Sequence, residues 1–156
     1  IMEKNNIIFM GTPDFAVESL KILIKSNYNI LGVVTATDKK RGRGKKITFS
    51  PIKNFATKNN IPVHQPKNLK SEEFINLMKK IKPDLFVVVA FRMLPEIIIN
   101  IPQYGSINLH ASLLPNYRGA APINWVIING ERETGVTIFF INKKIDEGDI
   151  ISKKKN

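Results

Sequence analysis

Cysteine is absent from all 156 residues. That one absence removes disulfide frameworks, Cys-ligated zinc, iron–sulfur clusters and thiol nucleophiles together. Histidine is nearly as scarce, with two residues. A zinc site would need His64, His110 and carboxylates to converge, and their spacing gives no sign of it. No apolar run approaches the roughly 18 residues of a membrane span. The first apolar stretch, Ile7–Met10, is also too short for a signal-peptide core. The expectation is therefore a protein without metal or membrane anchor, compatible with a reducing cytoplasm. Acidic residues are few, 13 against 24 Lys and Arg, which leaves a formal charge of +11. Hydrophobic content of 43% and charged content of 24% are globular values and exclude wholesale disorder. The length suits a single domain with a real hydrophobic core.

The positive excess has two readings. One is compositional, since Ile, Lys and Asn are heavily used. The other is an anionic partner, most naturally nucleic acid. Distribution separates them in part. Lys39-Lys40-Arg41-Gly42-Arg43-Gly44-Lys45-Lys46 carries six cations in eight residues, and Lys153–Lys155 adds three. The glycines mark the first run as a loop. Within it Arg41 and Arg43 matter most, because a guanidinium grips phosphate bidentately where Lys acts as a point charge.

Apolar periodicity supplies the architecture. Ile7–Met10 is a continuous apolar run of the kind buried on both faces of a parallel sheet, Ile30–Thr35 reads as the second strand, and Leu85–Ala90 is the best central strand in the chain. Between the first two, Thr12 is placed to cap a helix with Pro13 at its first position, and Ala16, Leu20, Leu23 and Ile24 share one face. Ser50-Pro51 and Ser71-Glu72-Glu73 open two further helices, the second burying Phe74, Leu77, Met78 and Ile81. Val63–Gln65, Ser106–His110 and Thr134–Ile141 read as strands, and Leu94–Asn100 and Pro122–Ile128 as short helices. Strands alternating with helices predict a doubly wound α/β domain with a mostly parallel sheet.

The nucleotide-binding motifs fail on inspection. Gly11-Thr12-Pro13-Asp14-Phe15 follows the first strand but lacks the second and third glycines of a dinucleotide fingerprint. Gly42-Arg43-Gly44-Lys45-Lys46 has the wrong spacing for a Walker loop. The sharpest constellation is Asn108-Leu109-His110. Residues two apart in a strand point the same way, so Asn108 and His110 should project together at the carboxyl end, where open α/β sheets hold their ligands. An Asn amide can donate to a developing oxyanion, and a His titrates near neutrality. The bland alternative for His110 is a satisfied core or edge histidine. Ser112-Leu113-Leu114-Pro115 follows as a stiff apolar wall, and Asp146, Glu147 and Asp149 offer a carboxylate to orient the His.

These stretches, with Tyr117-Arg118-Gly119-Ala120-Ala121-Pro122, Glu133–Thr137 and Ile145-Asp146-Glu147-Gly148-Asp149, resemble the methionyl-tRNA formyltransferase family in order, from about Ile7 to Ile151. The resemblance implies a Rossmann-like formyltransferase domain over residues 1–156. It implies a reaction that moves the formyl group of 10-formyltetrahydrofolate, a co-substrate, to the amine of initiator methionyl-tRNA. It makes Asn108, His110 and Asp146 the catalytic trio and Ser112, Leu113, Leu114 and Pro115 the folate loop. It makes Arg43 the tRNA reader, with Arg41, Lys45 and Lys46 beside it. No metal is implied. The family also carries a C-terminal β-barrel that binds tRNA, so the expectation is a catalytic domain cut short, with a separate C-terminal domain chain as a further partner. Phe91-Arg92-Met93-Leu94-Pro95 departs from the family's Tyr-Gly form near the pterin pocket, and Arg92 reads as a ligand contact or, preferably, a solvated loop arginine. Two other functions fit the charge or the motifs less well: formyl transfer to a small amine (glycinamide ribonucleotide or an amino-sugar nucleotide), and an RNA-binding remnant without catalysis.

Overall fold

A computed structural model describes residues 6–111 and 136–143. Six strands form one sheet. In chain order they are β1 (Asn6–Gly11), β2 (Asn29–Val34), β5 (Val63–His64), β6 (Leu85–Val89), β7 (Gly105–Ala111) and β8 (Val136–Lys143). Their spatial order is β5-β2-β1-β6-β7-β8, parallel throughout except for β8, which runs antiparallel to β7. Helices α1 (Asp14–Lys25), α2 (Pro51–Lys58), α3 (Glu72–Ile81) and α4 (Glu96–Ile99) connect them. A separate hairpin of β3 (Lys39–Arg41) and β4 (Lys46–Thr48) stands off the sheet.

The expected doubly wound arrangement follows from strand alternation. On one face Ile7 and Phe9 of β1 and Leu85, Val87 and Val89 of β6 pack with Ala16, Leu20 and Leu23 of α1 and Ile52 and Ala56 of α2. On the other, Ile8 and Met10 with Phe86 and Val88 pack with Phe74 and Met78 of α3 and Ile98 of α4. Both central strands are thus buried twice over, which is why they read as unbroken apolar runs.

Local signals held at some ends and not at others. Ser50 and Ser71 cap their helices, accepting from the N–H groups of Lys53 at 3.0 Å and Phe74 at 3.2 Å. Thr12 does not cap α1. Pro13 occupies that position without a side-chain bond, and the Thr12 carbonyl instead accepts from Ile52 N–H at 3.4 Å. Ile24 lies outside the buried stripe of α1, 39% exposed, and Ser19 takes its place. Leu77 and Ile81 are only half-buried on α3. The basic run is not a plain loop either. Lys39, Lys40 and Arg41 pair with Thr48, Ile47 and Lys46 around a Gly42–Lys45 turn. Positive φ angles of 71° at Gly42 and 80° at Gly44 close the turn, a region that glycine enters at no steric cost.

Gly11 is required for another reason. A Cβ there would stand 2.8 Å from the Val89 carbonyl oxygen and 3.1 Å from Ala16 Cβ, so the missing side chain lets β1, β6 and α1 meet. Gly11→Ala should therefore cost about 1–3 kcal/mol, the usual range for overpacking. Urea denaturation checks it, and a midpoint equal to that of the wild type would show that the strands part freely.

Candidate functional site

The chain runs outward from β1 to β2 and β5, then returns to the other side of β1 as β6. The carboxyl ends of β1 and β6 therefore form the topological switch point, the place where such sheets bind ligands. One rung below that edge, Val34, Met10, Val88 and Asn108 lie level across β2, β1, β6 and β7. The next rung ends β1 at Gly11 and β6 at Val89. Ala90 then turns away with φ of 51°, an uncommon conformation for a residue with a side chain, and strain of this kind clusters at functional sites. β7 continues to Ala111, and among the described pairings its last two residues contact β8 alone.

Alternation along β7 exposes Asn108 at this edge. Ile107 and Leu109 are buried, each 1% exposed, against the α1 and α2 layer. Ser106, on the opposite face, is fully buried and donates to the Ile99 carbonyl of α4 at 2.9 Å. Asn108 emerges on the Ser106 face and is exposed. The strand has no bulge between Ile107 and Ala111, and position 110 stands in register with Thr137. Of the other residues expected here, Asp146, Ser112, Leu113, Leu114 and Pro115 lie outside the described residues, as does the His110 side chain. Among the described residues, no three His, Asp or Glu side chains gather as a metal site.

Arg92 is an exposed loop arginine, as expected, but it is also tied down. Its guanidinium donates to the carbonyls of Pro66 at 2.9 Å and Lys67 at 3.1 Å and lies 4.9 Å from the Phe91 ring centroid. It ties the loop after β6 to the loop after β5. Sequence spacing could not reveal this, because both partners are main-chain carbonyls some 25 residues away.

The hairpin stands beside the same edge. Residues 38–49 are all exposed. Among the described residues, none of Lys39, Lys40, Arg41, Lys45, Lys46 and Arg43 forms an ion pair. A cavity of about 200 Å³ lies between Thr12 and Thr37, at the ends of β1 and β2, and the hairpin residues Lys39, Arg41 and Thr48. Basic surface therefore runs from the hairpin to the β1–α1 turn. At the hairpin's foot Lys53 and Gln65 both contact Asp38, and none of the three stands out in the sequence. The one available signal was an acid standing directly before a run of six cations.

A model of the formyl transferase family matches residues 4–156. A methionyl-tRNA formyltransferase of Bacteroides fragilis is 55% identical over 151 residues, covering 97% of this chain and 47% of its own length. Its counterpart in Flavobacterium johnsoniae is 59% identical over 150 residues, covering 96% and 48%. The chain thus spans about half the length of the curated relatives it matches. Among solved structures, glycinamide ribonucleotide transformylase 1 from Geobacillus kaustophilus superposes with a TM-score of 0.54 at 18% identity, covering 92% of this chain and 78% of that one. A phosphoribosylglycinamide formyltransferase from Coxiella burnetii gives 0.51 at 20%, covering 98% and 79%. At these identities the likeness speaks for the fold. Among the described residues, no helix is long and apolar enough to cross a membrane.

His64, beside Gly32 on the β5 edge, is half-buried, and that burial lowers its pKa below the ordinary value. The fold therefore favours the neutral ring. Its contribution is present above the unfolded value near 6.5 and is lost as pH falls from there toward the folded value. Urea midpoints at pH 7.5 and 5.5 should show a loss on acidification that is smaller in His64→Gln. Equal losses in the two proteins would refute the assignment.

Proposed function

The chain belongs to the formyl transferase family, and on that premise we propose that it is the formyl-transfer domain of a methionyl-tRNA formyltransferase. The substrates are 10-formyltetrahydrofolate and initiator methionyl-tRNA, and the reaction serves translation initiation in the cytoplasm. The observation that carries this reading is the hairpin, whose cations have no acidic partner among the described residues and flank the switch-point edge. A small amine acceptor has no use for six positive charges, whereas an RNA backbone does.

In this mechanism the methionyl amine attacks the formyl carbon, a C–N bond forms, and the carbonyl oxygen becomes an oxyanion. The folate supplies an activated formyl group, whose bond to N10 breaks as the tetrahedral intermediate collapses. Asn108 serves as an amide donor to that oxyanion, a role that suits its exposed position on β7. His110, protonated, is the second donor. Asp146 stabilises the imidazolium and passes on the proton that the amine loses, while N10 gains one, so the protons balance. Ser112, Leu113, Leu114 and Pro115 wall the folate. Arg43 reads the acceptor stem, with Arg41, Lys45 and Lys46 on neighbouring phosphates.

Asn108→Ala should slow single-turnover formylation by about 10²–10³, the usual cost of one oxyanion donor. Near-full activity in this variant would remove Asn108 from the mechanism. The affinity for methionyl-tRNA should also fall steeply with salt. Four phosphate contacts imply a log–log slope of about −3 to −4. A slope near zero favours the small-amine reading instead.

A further inference from the structure

Lys53, on α2, holds both ends of the hairpin at once. Its Nζ lies 2.9 Å from each carboxylate oxygen of Asp38, the residue before β3. The same ammonium stands 3.8 Å from the ring centroid of Phe49, the residue after β4. Gln65, just after β5, donates its amide to Asp38 Oδ1 at 2.7 Å and to the Ala36 carbonyl at 3.1 Å. The Lys53 and Asp38 side chains are 18% and 33% exposed, so this pair is better shielded than the other ion pair among the described residues, Lys21–Glu18, at 50% and 69%. The Asp38 carboxyl is held below the ordinary carboxylate range, first by the Gln65 bond and then by Lys53.

The hairpin otherwise has little to fix it. It forms its own two-stranded sheet, and its Ile47 and Phe49 are 59% and 47% exposed rather than packed in a core. A short hairpin without a core is marginally stable by itself. We propose that Asp38, Lys53, Phe49 and Gln65 form a clamp that sets the orientation of the basic hairpin, and that Lys53 and Asp38 are positioning residues for capture of the RNA acceptor. The second half rests on the formyl-transfer reading above, whereas the first is mechanical and can be tested without RNA.

The chain has no cysteine, so Ile47→Cys carries a single nitroxide label. In the intact protein, Lys53→Met and Asp38→Asn should each sharpen the spectrum of the label, and Lys53→Arg should restore it. A guanidinium can grip the carboxylate and cover the ring together. The charge logic makes the RNA measurement decisive. Asp38→Asn raises net charge by one, so simple electrostatics predicts tighter binding of methionyl-tRNA. The clamp predicts weaker binding, about tenfold if the competent orientation falls to about a tenth of the population. The loss should appear in KM for methionyl-tRNA, with kcat and KM for the folate little changed. Unchanged spectra in both variants overturn the clamp whatever the RNA affinity. Sharpened spectra with tighter tRNA binding by Asp38→Asn overturn the positioning role. A wild-type protein that binds no methionyl-tRNA overturns the formyl-transfer reading and the capture role with it, and the spectra then decide the mechanical half alone.

Discussion

Everything in this domain depends on the close pairing of β1 and β6. Those strands are buried on both faces, and their carboxyl ends define the switch point. The pairing stays in register up to Gly11 opposite Val89 because position 11 has no side chain. A Cβ of any kind would meet the Val89 carbonyl before the last rung could form. The adjoining features are set by this rung: Thr12 is placed to accept from α2, Ala90 bends the chain out of the sheet, and Asn108 lies one level below the edge on the neighbouring strand.

Two kinds of polar interaction build on that frame, and they differ in physical character. Around the crevice they are ties to main-chain carbonyls: Arg92 to Pro66 and Lys67, Ser106 to Ile99. Such bonds fix loops to the sheet through uncharged acceptors, so Arg92 keeps its positive charge. The hairpin is the reverse, since its six cations carry no acidic partner among the described residues, and only Asp38 at its foot is paired. Exposed like charges in a short hairpin repel one another, so a single shielded carboxylate–ammonium contact at the base has more influence on its orientation than on total stability. Surface ion pairs add little stability as a rule. The same contact can still select one geometry among several of similar energy.

Legibility in the sequence followed the range of the physics. Strands β1 and β6 are plain because double burial demands an apolar residue at nearly every position. The caps at Ser50 and Ser71 were plain because a hydroxyl acts on an N–H three residues away. Thr12 carries the same local signal, but Pro13 takes the cap position instead, and the Thr12 carbonyl accepts from Ile52 some forty residues later. The two carbonyls that bind Arg92, itself exposed, likewise lie beyond the reach of any local pattern. The hairpin reads as a loop because glycines and cations dominate it, and Ile47 and Phe49 alone are too few to set a strand period.

Local chemistry and periodicity determined the fold class, the strand that carries Asn108 and His110, and the stretch where positive charge gathers. They depend on near neighbours and on which residues must avoid water, and both are written in order along the chain. Tertiary structure alone decided that Asn108 emerges past α4 while Ser106 is covered, that Ala90 leaves the sheet at the switch point, and that Lys53 meets Asp38 and Phe49 together. Those outcomes turn on register and on which elements pack side by side. Contacts between residues distant in sequence are settled by the whole chain closing on one core, and no short stretch of residues contains them.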